Sequence, residues 1–576
     1  MKKGKLRKLT LGRMKNQILD KNWKLELNQK VYDAGDTPFS MYSVLLKNQQ
    51  IEHPYYRENE YEACKLSEFE STFYTTFTLD QEFVLAKAPT LCFEMIDTLA
   101  EVYLNGKLLG VANNMHRVWK FPVKGLLQSG ENELCVKISS PSQYIKEKNE
   151  ERALWGVETT IPGYQYIRKA HYMFGWDWGP QLPDMGIYRS VYLYDDAKAY
   201  LDNYKMKQFH EENQVILSIT PEIAGKKELV GSVKYALRSP SGEIVTELTS
   251  NQEKVELFVA EPQLWWPNGY GKANLYQITI QLCNHENEVI DQKTYNIGLR
   301  MLELSREDDE WGQEFCFKVN GIKIFAMGAD YIPEDSIIPN LTAEKTHELL
   351  QQCVLANYNC IRVWGGGYYP EDWFYDSCDG LGLIVWQDHL FACAVYRLSD
   401  DFKDNITQEA IDNIKRLRNH PSLGLWCGNN EMETAWESWG INQEKDLLED
   451  YHEMFELLLR NLVEEYDGVT PYWPSSPSSG CKDYGANDYD HGDVHYWDVW
   501  HGLKPMDDVK NHYFRFCSEY GFESMPSRKT LDTVLLPEDC NLYSPAMENH
   551  QKCVNGNMKL MYYMSEYLRM PTSFNQ

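Results

Sequence analysis

Between residues 16 and 195, apolar and polar positions alternate in short runs. The segments 70–79, 90–96, 100–104, 134–138 and 190–194 carry apolar side chains at a spacing of two, the pattern of half-buried strands. Turn signals such as Asn105-Gly106 and Gly130-Glu131-Asn132 separate them. This predicts an N-terminal, jelly-roll-like β-sandwich over 16–195. A second set of runs at 215–219, 233–237, 255–259 and 276–281, punctuated by Ser239-Pro240-Ser241-Gly242 and Asn268-Gly269, predicts an immunoglobulin-like sandwich over 196–304.

From 305 the period changes. Strand-like runs at 322–327, 360–364, 383–387, 423–427, 472–473, 494–497 and 515–518 alternate with helical spacing at 342–357, 370–381, 401–418 and 444–466. Repeated strand–helix order predicts an α/β barrel. Only seven strands are found, so the expectation over 305–576 is an incomplete (β/α)8 TIM barrel without its eighth strand. Residues 1–15 read as a basic leader with no apolar stretch after it.

Composition narrows the function. Against 57 Lys and Arg stand 85 Asp and Glu, for a formal charge of −28. Such a chain repels phosphate backbones and anionic lipid, so nucleic acid and membrane are poor partners. The 14 Cys lack CxxC pairing, and several (Cys353, Cys360, Cys427, Cys517) sit inside apolar runs. Free buried thiols fit a reducing compartment, and the cytoplasm is the expected location. The 17 Trp and 38 Tyr often neighbour Gly, Asp and Asn. Such rings stack on the C–H faces of sugars, although by count alone ordinary core and surface aromatics are the better account.

Two strand ends carry the candidate chemistry. Leu423-Gly-Leu-Trp-Cys-Gly-Asn-Asn-Glu431 runs from an apolar strand into two amides and a carboxylate. Phe514-Arg-Phe-Cys-Ser-Glu519-Tyr-Gly521 repeats the design. Carboxylates past the C-terminal ends of barrel strands are placed for catalysis, and a pair of them is the equipment for cutting a glycosidic bond. A Glu among aromatics has a raised pKa and suits an acid; a Glu near an Arg, here Arg515, stays ionised and suits a nucleophile. Sequence does not fix their separation, so retention and inversion both stay open. Gly365-Gly366-Gly367 lacks a phosphate-loop pattern. Asp490-His491-Gly492-Asp493-Val494-His495 lacks an obvious third-ligand motif. No metal and no cofactor are expected.

With these residues in hand, the chain resembles the β-mannosidases of glycoside hydrolase family 2. The motifs are Asp97-Thr98, Leu104-Asn105-Gly106, Asn114-Met115-His116-Arg117, Phe174-Gly-Trp-Asp-Trp-Gly-Pro180, Leu264-Trp-Trp-Pro-Asn-Gly269, Arg362-Val-Trp-Gly-Gly-Gly367, Val385-Trp-Gln-Asp388, Trp426-Cys-Gly-Asn-Asn-Glu431, Asp493-Val-His-Tyr-Trp497 and Ser518-Glu-Tyr-Gly521. The resemblance implies a retaining exo-β-mannosidase with Glu431 as acid/base and Glu519 as nucleophile. It further implies that Asn430 bonds the sugar 2-hydroxyl, Arg362 holds Glu519 ionised, and Trp364 and Trp439 wall the glycone pocket. Trp176 and Asp177 would reach the far hydroxyls, and Tyr496 joins the substrate-binding set. Trp176 and Trp178 have a plain alternative as sandwich packing. The implied partners are β-mannosides, manno-oligosaccharides or glycan cores, with a homodimer as an open option.

Against the family pattern, Asp330-Tyr331 stands where Asn-Trp is common and His389 where an aromatic is common. The missing strand and C-terminal sandwiches suggest a truncation. The competing readings are a β-galactosidase or β-glucuronidase of the same family, and an inactive truncated sugar-binding protein.

Overall fold

The computed structural model describes residues 16–441 and 444–576. The leader reading of 1–15 lies outside the described residues. Three layered units follow one another.

In the first, Lys30–Gly35, Trp23–Leu27, Ser71–Thr78, Glu131–Ile138, Leu99–Leu104 and Lys107–Asn113 form a six-stranded antiparallel sheet in that spatial order. It faces a four-stranded sheet of Gln17–Ile18, Val191–Asp195, Pro89–Phe93 and Trp119–Pro122. The alternation is literal: Trp23, Leu25 and Leu27 are buried while Lys24 and Glu26 are exposed. Trp23, Phe39 and Phe73 stack in series at the centre, with ring centroids 5.6 and 5.0 Å apart.

The second unit pairs a sheet of Ala199–His210, Gln214–Gly225 and Val255–Ala260 with one of Ile244–Ser250, Ser232–Arg238, Tyr276–Cys283 and Val289–Ile297. Three of these seven strands, Ala199–His210, Ile244–Ser250 and Val289–Ile297, had no sequence expectation. Their buried positions are few or irregular, so the period of two is blurred.

The third unit contains two parallel ladders. The larger joins Gly328–Tyr331, Cys360–Val363, Ile384–Asp388, Leu423–Cys427 and Tyr472–Trp473 in chain order. The smaller pairs Val494–Tyr496 with Cys517–Tyr520. Helices Ala343–Leu355, Asp372–Leu381 and Asp400–Leu417 connect the larger ladder. The ladder bonds among the described residues do not join the two sheets into one closed barrel. Beyond Tyr520 the described residues form only helical segments, the longest being Gly556–Tyr567.

Two expectations are corrected here. The run 322–327 is not the first parallel strand. Ile322–Ile324 folds back on Cys316–Val319 as an antiparallel hairpin, because Asn320 and Gly321 both take positive φ, 50° and 82°, the geometry of a tight hairpin turn. Its apolar residues Ile322 and Phe325 are exposed, and the first parallel strand is the less apolar Gly328–Tyr331. The helix read over 444–466 is helical throughout but not uniformly α: its middle, His452–Leu458, is a π-helix between Lys445–Tyr451 and Leu459–Tyr466.

Docking of the first unit onto the third explains the Asn114-Met115-His116-Arg117 motif. Asn114 Nδ2 donates to Glu409 Oε2 at 2.8 Å, Arg117 Nη1 to Asn405 Oδ1 at 2.9 Å, and Asn413 Nδ2 to the His116 carbonyl at 2.9 Å. Arg168 closes on Glu409 through Nε at 2.9 Å and Nη2 at 2.6 Å, both side chains almost fully buried. Removing one member of a buried ion pair strands the other charge. Glu409→Ala should therefore cost about 3–5 kcal/mol, read as a lowered denaturant midpoint, with Glu409→Gln losing less.

Candidate active site

The loop after Leu423–Cys427 places the first acid. Gly428 passes so close to the next strand that a Cβ there would lie 2.2 Å from the Pro474 carbonyl oxygen. The backbone is then stitched on both sides: Gly428 N–H donates to Trp473 O (2.7 Å), Asn430 N–H to Phe391 O (2.9 Å) and Glu431 N–H to Ser476 O (2.7 Å). Glu431 itself sits at φ 63° and opens the helix Met432–Ser438. A left-handed conformation costs a non-glycine residue about 1–2 kcal/mol. The surrounding bonds hold it there, and strain of this kind marks functional positions. Cys393, at φ 44°, lies opposite, with Sγ 3.2 Å from Glu431 Oε2.

The second acid, Glu519, lies within Cys517–Tyr520. Arg362, on the second parallel strand, is 4% exposed. It donates to Glu519 Oε1 at 2.6 Å, to Asp388 Oδ2 at 2.8 Å and to Asn430 Oδ1 at 2.8 Å. Neighbouring residues alone had offered Arg515 as the cation, whereas the family resemblance had implied Arg362: Arg515 pairs with Asp309, and Arg362 is the one that reaches Glu519.

His495 stands between the acids, with Nδ1 2.8 Å from Glu431 Oε1 and 3.4 Å from Glu519 Oε2. One carboxylate oxygen of each Glu and a His495 nitrogen all lie within 4.8 Å of one another. The imidazole's orientation follows from its other side. Ser476 Oγ donates to Asp493 Oδ2 at 2.6 Å, so it accepts from His495 Nε2 at 3.0 Å. The Nδ1 lone pair then faces Glu431. Burial lowers the imidazole to about 4 and raises the Glu431 carboxyl. Both shifts run in the direction that favours a proton on the carboxyl over one on the ring. Burial raises Glu519 as well; His495 and Arg362 oppose the shift and Glu431 adds to it, and the carboxyl stays above its usual value. Of the two acids, only Glu519 has a guanidinium in hydrogen-bond contact.

Both acids line one cavity of about 1080 Å³, at the upper end of ligand clefts. The first unit contributes a hairpin, Phe174–Trp176 with Gly179–Gln181. It turns at Asp177-Trp178; within its first strand Gly175 takes φ 102°, and a Cβ there would meet Gln181 and the Thr159 carbonyl oxygen at 2.6 and 2.7 Å. Trp176 from this hairpin meets Trp364 edge-on at 4.6 Å, and Trp178 meets Trp364 at 5.6 Å. Trp176, Asp177, Trp364, Asn430, Glu431, Trp439 and Glu519 all border the cavity. Trp439 is partly exposed and lies 5.8 Å from Trp155. Arg362 stands behind Glu519.

Tyr496 departs from expectation. Its hydroxyl donates to Asp508 Oδ2 at 2.5 Å and its ring packs on His512 and Phe514, away from the cavity. In a strand, residues two apart share a face, so His495 and Trp497 point inward and Tyr496 outward. Trp497 Nε1 indeed donates to Glu519 Oε2 at 3.2 Å. That alternation was the available signal for these two residues. Cys393 and Trp155 had none.

Metal-type geometry occurs at two places among the described residues: the Glu431–His495–Glu519 group and Asp376–Asp379–His420. In the second, Asp379 is already engaged by His420 Nδ1 at 2.7 Å and by Ser422. All 14 cysteines are free. No helix among the described residues is long and apolar enough to cross a membrane.

Two successive β-sandwiches, the first docked on a unit of parallel strands whose ends carry a carboxylate pair, form a layout suited to glycoside hydrolysis. Comparison with known proteins gives the family. Residues 22–189 match the model described as glycosyl hydrolase 2 galactose-binding domain-like, and 199–300 match glycosyl hydrolases family 2. Beta-mannosidase B of Aspergillus fumigatus is 32% identical, over 98% of this chain and 69% of its own length. Beta-mannosidase of Bos taurus is 30% identical, over 96% of this chain and 66% of its own. The crystal structure of beta-D-mannosidase from Dictyoglomus thermophilum superposes with a TM-score of 0.92 at 35% identity, covering 98% of this chain and 70% of that one. The chain belongs to glycosyl hydrolases family 2. It spans about two thirds of the length of the curated relatives it matches, between 64% and 69%.

Arg362→Met should leave Asp330, Asp388 and Glu519 facing one another without a cation. Their folded-state pKa values would rise further above the unfolded ones. Each such acid favours the folded state less once the pH exceeds its unfolded pKa. The destabilisation should therefore deepen between about pH 5 and pH 8. Denaturant midpoints across that range check it.

Proposed function

We propose that this chain hydrolyses terminal, non-reducing β-D-mannosides with retention of configuration. The observation that carries the reading is the pair of acids on one cavity, with carboxylate oxygens within 4.8 Å. That spacing supports direct attack. Retaining enzymes hold their carboxyls about 5–5.5 Å apart, whereas inverting ones need about 6.5–9.5 Å to admit a water. The choice of mannose as the sugar draws on the relatives named above.

Glu431, protonated against the His495 lone pair, gives its proton to the leaving oxygen. Glu519, ionised beside Arg362, attacks the anomeric carbon to form a glycosyl ester. Glu431, now a base, takes a proton from the water that hydrolyses the ester. Asn430, whose side chain is anchored by Arg362, is placed near both acids for the 2-hydroxyl. Trp176 and Trp364 offer ring edges and faces to the sugar, and Asp177 accepts from hydroxyls at the far end. We further read the two parallel ladders as parts of one barrel-type arrangement. Arg362 from the larger ladder reaches Glu519 in the smaller, and Glu431 reaches His495, which supports a shared strand-end face.

Turnover of aryl β-mannoside, with β-galactoside and β-glucuronide as comparators, tests the substrate, and proton NMR of the first-formed anomer tests retention. Activity confined to the galactoside or glucuronide would sink the reading. Glu519→Ala should abolish turnover. Glu431→Ala should lose about 10²–10⁴-fold on poor leaving groups and far less on activated aryl ones. Equal losses on both would remove Glu431 as the acid.

A further inference from the structure

Among the described residues that border the cavity, only Glu431 and Cys393 combine a side chain with a positive φ, 63° and 44°. The two touch. Cys393 Sγ lies 3.2 Å from Glu431 Oε2, and Asn430 Nδ2 lies 3.2 Å from the same sulfur. The backbone holds the thiol from two sides. Cys393 N–H donates to the Asn430 carbonyl at 3.0 Å. The hydroxyl of Tyr164, a wholly buried residue of the first sandwich, donates to the Cys393 carbonyl at 2.7 Å. A left-handed backbone is disfavoured for a residue with a Cβ, so these bonds, rather than local preference, aim the sulfur at the acid.

The direction of each bond follows from the groups. Arg362 donates to Asn430 Oδ1, which turns the Nδ2 amide towards the sulfur. An amide nitrogen only donates, so Sγ accepts from it. Burial, and then the Glu431 carboxyl, hold the Cys393 thiol well above its usual value, so the sulfur keeps its proton. That S–H points at Glu431 Oε2, since the next acceptor, the Asn430 carbonyl, is 3.9 Å away. Asn430 Nδ2 also stands 3.5 Å from Oε2. Two donors thus face Oε2, whereas the His495 Nδ1 lone pair faces Oε1 at 2.8 Å. A proton carried by Glu431 belongs on Oε1. When it leaves, negative charge spreads onto Oε2 and the S–H contact becomes charge-assisted. The contact is therefore stronger in the transition state for proton transfer than before it.

We propose that Cys393 is a positioning residue of the acid: its thiol donates to Glu431 Oε2, confines the transferable proton to Oε1 and steadies the carboxylate left when that proton goes to the leaving group. This rests on the reading of Glu431 as the acid.

The test compares the intact chain with Cys393→Ala and Cys393→Ser on two β-mannosides. One has an alkyl leaving group, which needs a proton; the other has a dinitrophenyl group, which does not. In Cys393→Ala, kcat/KM should fall about tenfold on the alkyl mannoside, the worth of one hydrogen bond to a charged group, and hardly change on the dinitrophenyl one. Cys393→Ser should restore most of the loss. Adding Cys393→Ala to Glu431→Ala should cost nothing further, because the thiol acts only through that carboxyl. Equal losses on both mannosides, or an additive loss in the double variant, would overturn the proposal. Glu431→Ala alone separates the two failures: unequal losses there with equal losses in Cys393→Ala remove the thiol and keep the acid. A second measurement does not depend on turnover. The Raman S–H stretch of Cys393, isolated by subtracting the Cys393→Ala spectrum, should lie below that of a free thiol and rise in Glu431→Ala. A band that stays put overturns the contact even if the chain hydrolyses mannosides. A band that rises upholds it even if the sugar proves to be a different β-glycoside.

Discussion

One buried guanidinium organises the centre of this molecule. Arg362 is bonded to Glu519, Asp388 and Asn430, with Asp330 at 3.5 Å. These groups come from the first, third and fourth parallel strands or their ends and from the separate Val494–Tyr496/Cys517–Tyr520 ladder. Burying one such charge costs several kcal/mol. Several carboxylates around one cation would repel one another without it. The cluster is stable only when all its members are in place, so it couples strand packing to the geometry of the acids. Burial of Arg362 raises the cost of losing it, and the adjoining anions hold its proton firmly.

The same cation separates the roles of two chemically identical side chains. The Glu431 and Glu519 side chains are 14% and 8% exposed, and burial raises both carboxyls. Arg362 touches Glu519 and reaches Glu431 only through Asn430. On the other side, the Asp493–Ser476–His495 chain presents a lone pair to Glu431. A lone pair facing a carboxyl oxygen at 2.8 Å needs a proton between them. In the proposed function, hydrogen-bond direction is what separates an acid held as a donor from one held as an anion. The left-handed backbone at Glu431 belongs to this design, since it turns the side chain out of the strand line and towards His495.

Much of this was legible in the sequence, for identifiable reasons. Strands with one wet face, such as Trp23–Leu27 and Glu131–Ile138, show their period in the letters. Leu423–Cys427, buried throughout, showed as an unbroken apolar run that ends in the amides and acid. Glu431, Glu519, Arg362 and Asp177 stood out through motifs at strand ends. What stayed hidden depends on folding at a distance. Arg515 is close to Glu519 in sequence and far from it in charge pairing. Arg362 is distant in sequence and bonded to Glu519 in space, a pairing that the family resemblance offered and local spacing did not. Tyr496 was misplaced because a motif was read as a unit, although in a strand its neighbours face the other way. The run 322–327 was misread because its apolar content outweighed the Asn320-Gly321 turn beside it. Cys393 carries no local pattern, and only its surroundings bring it to Glu431.

The cavity is assembled from parts that fold separately, and this bears on how it selects a substrate. Its catalytic end is rigid, fixed by ladder bonds and by the Arg362 cluster. Its far end is not built on that frame. There the hairpin of the first sandwich brings Trp176, Asp177 and Trp178, while the C-terminal helix brings Lys559. The sandwich is locked to the helix Asp400–Leu417 through Arg168, Asn114 and Glu409, so the hairpin inherits its position from a buried ion pair remote from the acids. In the proposed function, the carboxyl and indoles placed there stand behind the terminal sugar ring, so that a chain end is admitted rather than a chain middle. Exo-action in the proposed function is thus a property of domain docking, whereas bond cleavage is a property of the strand ends.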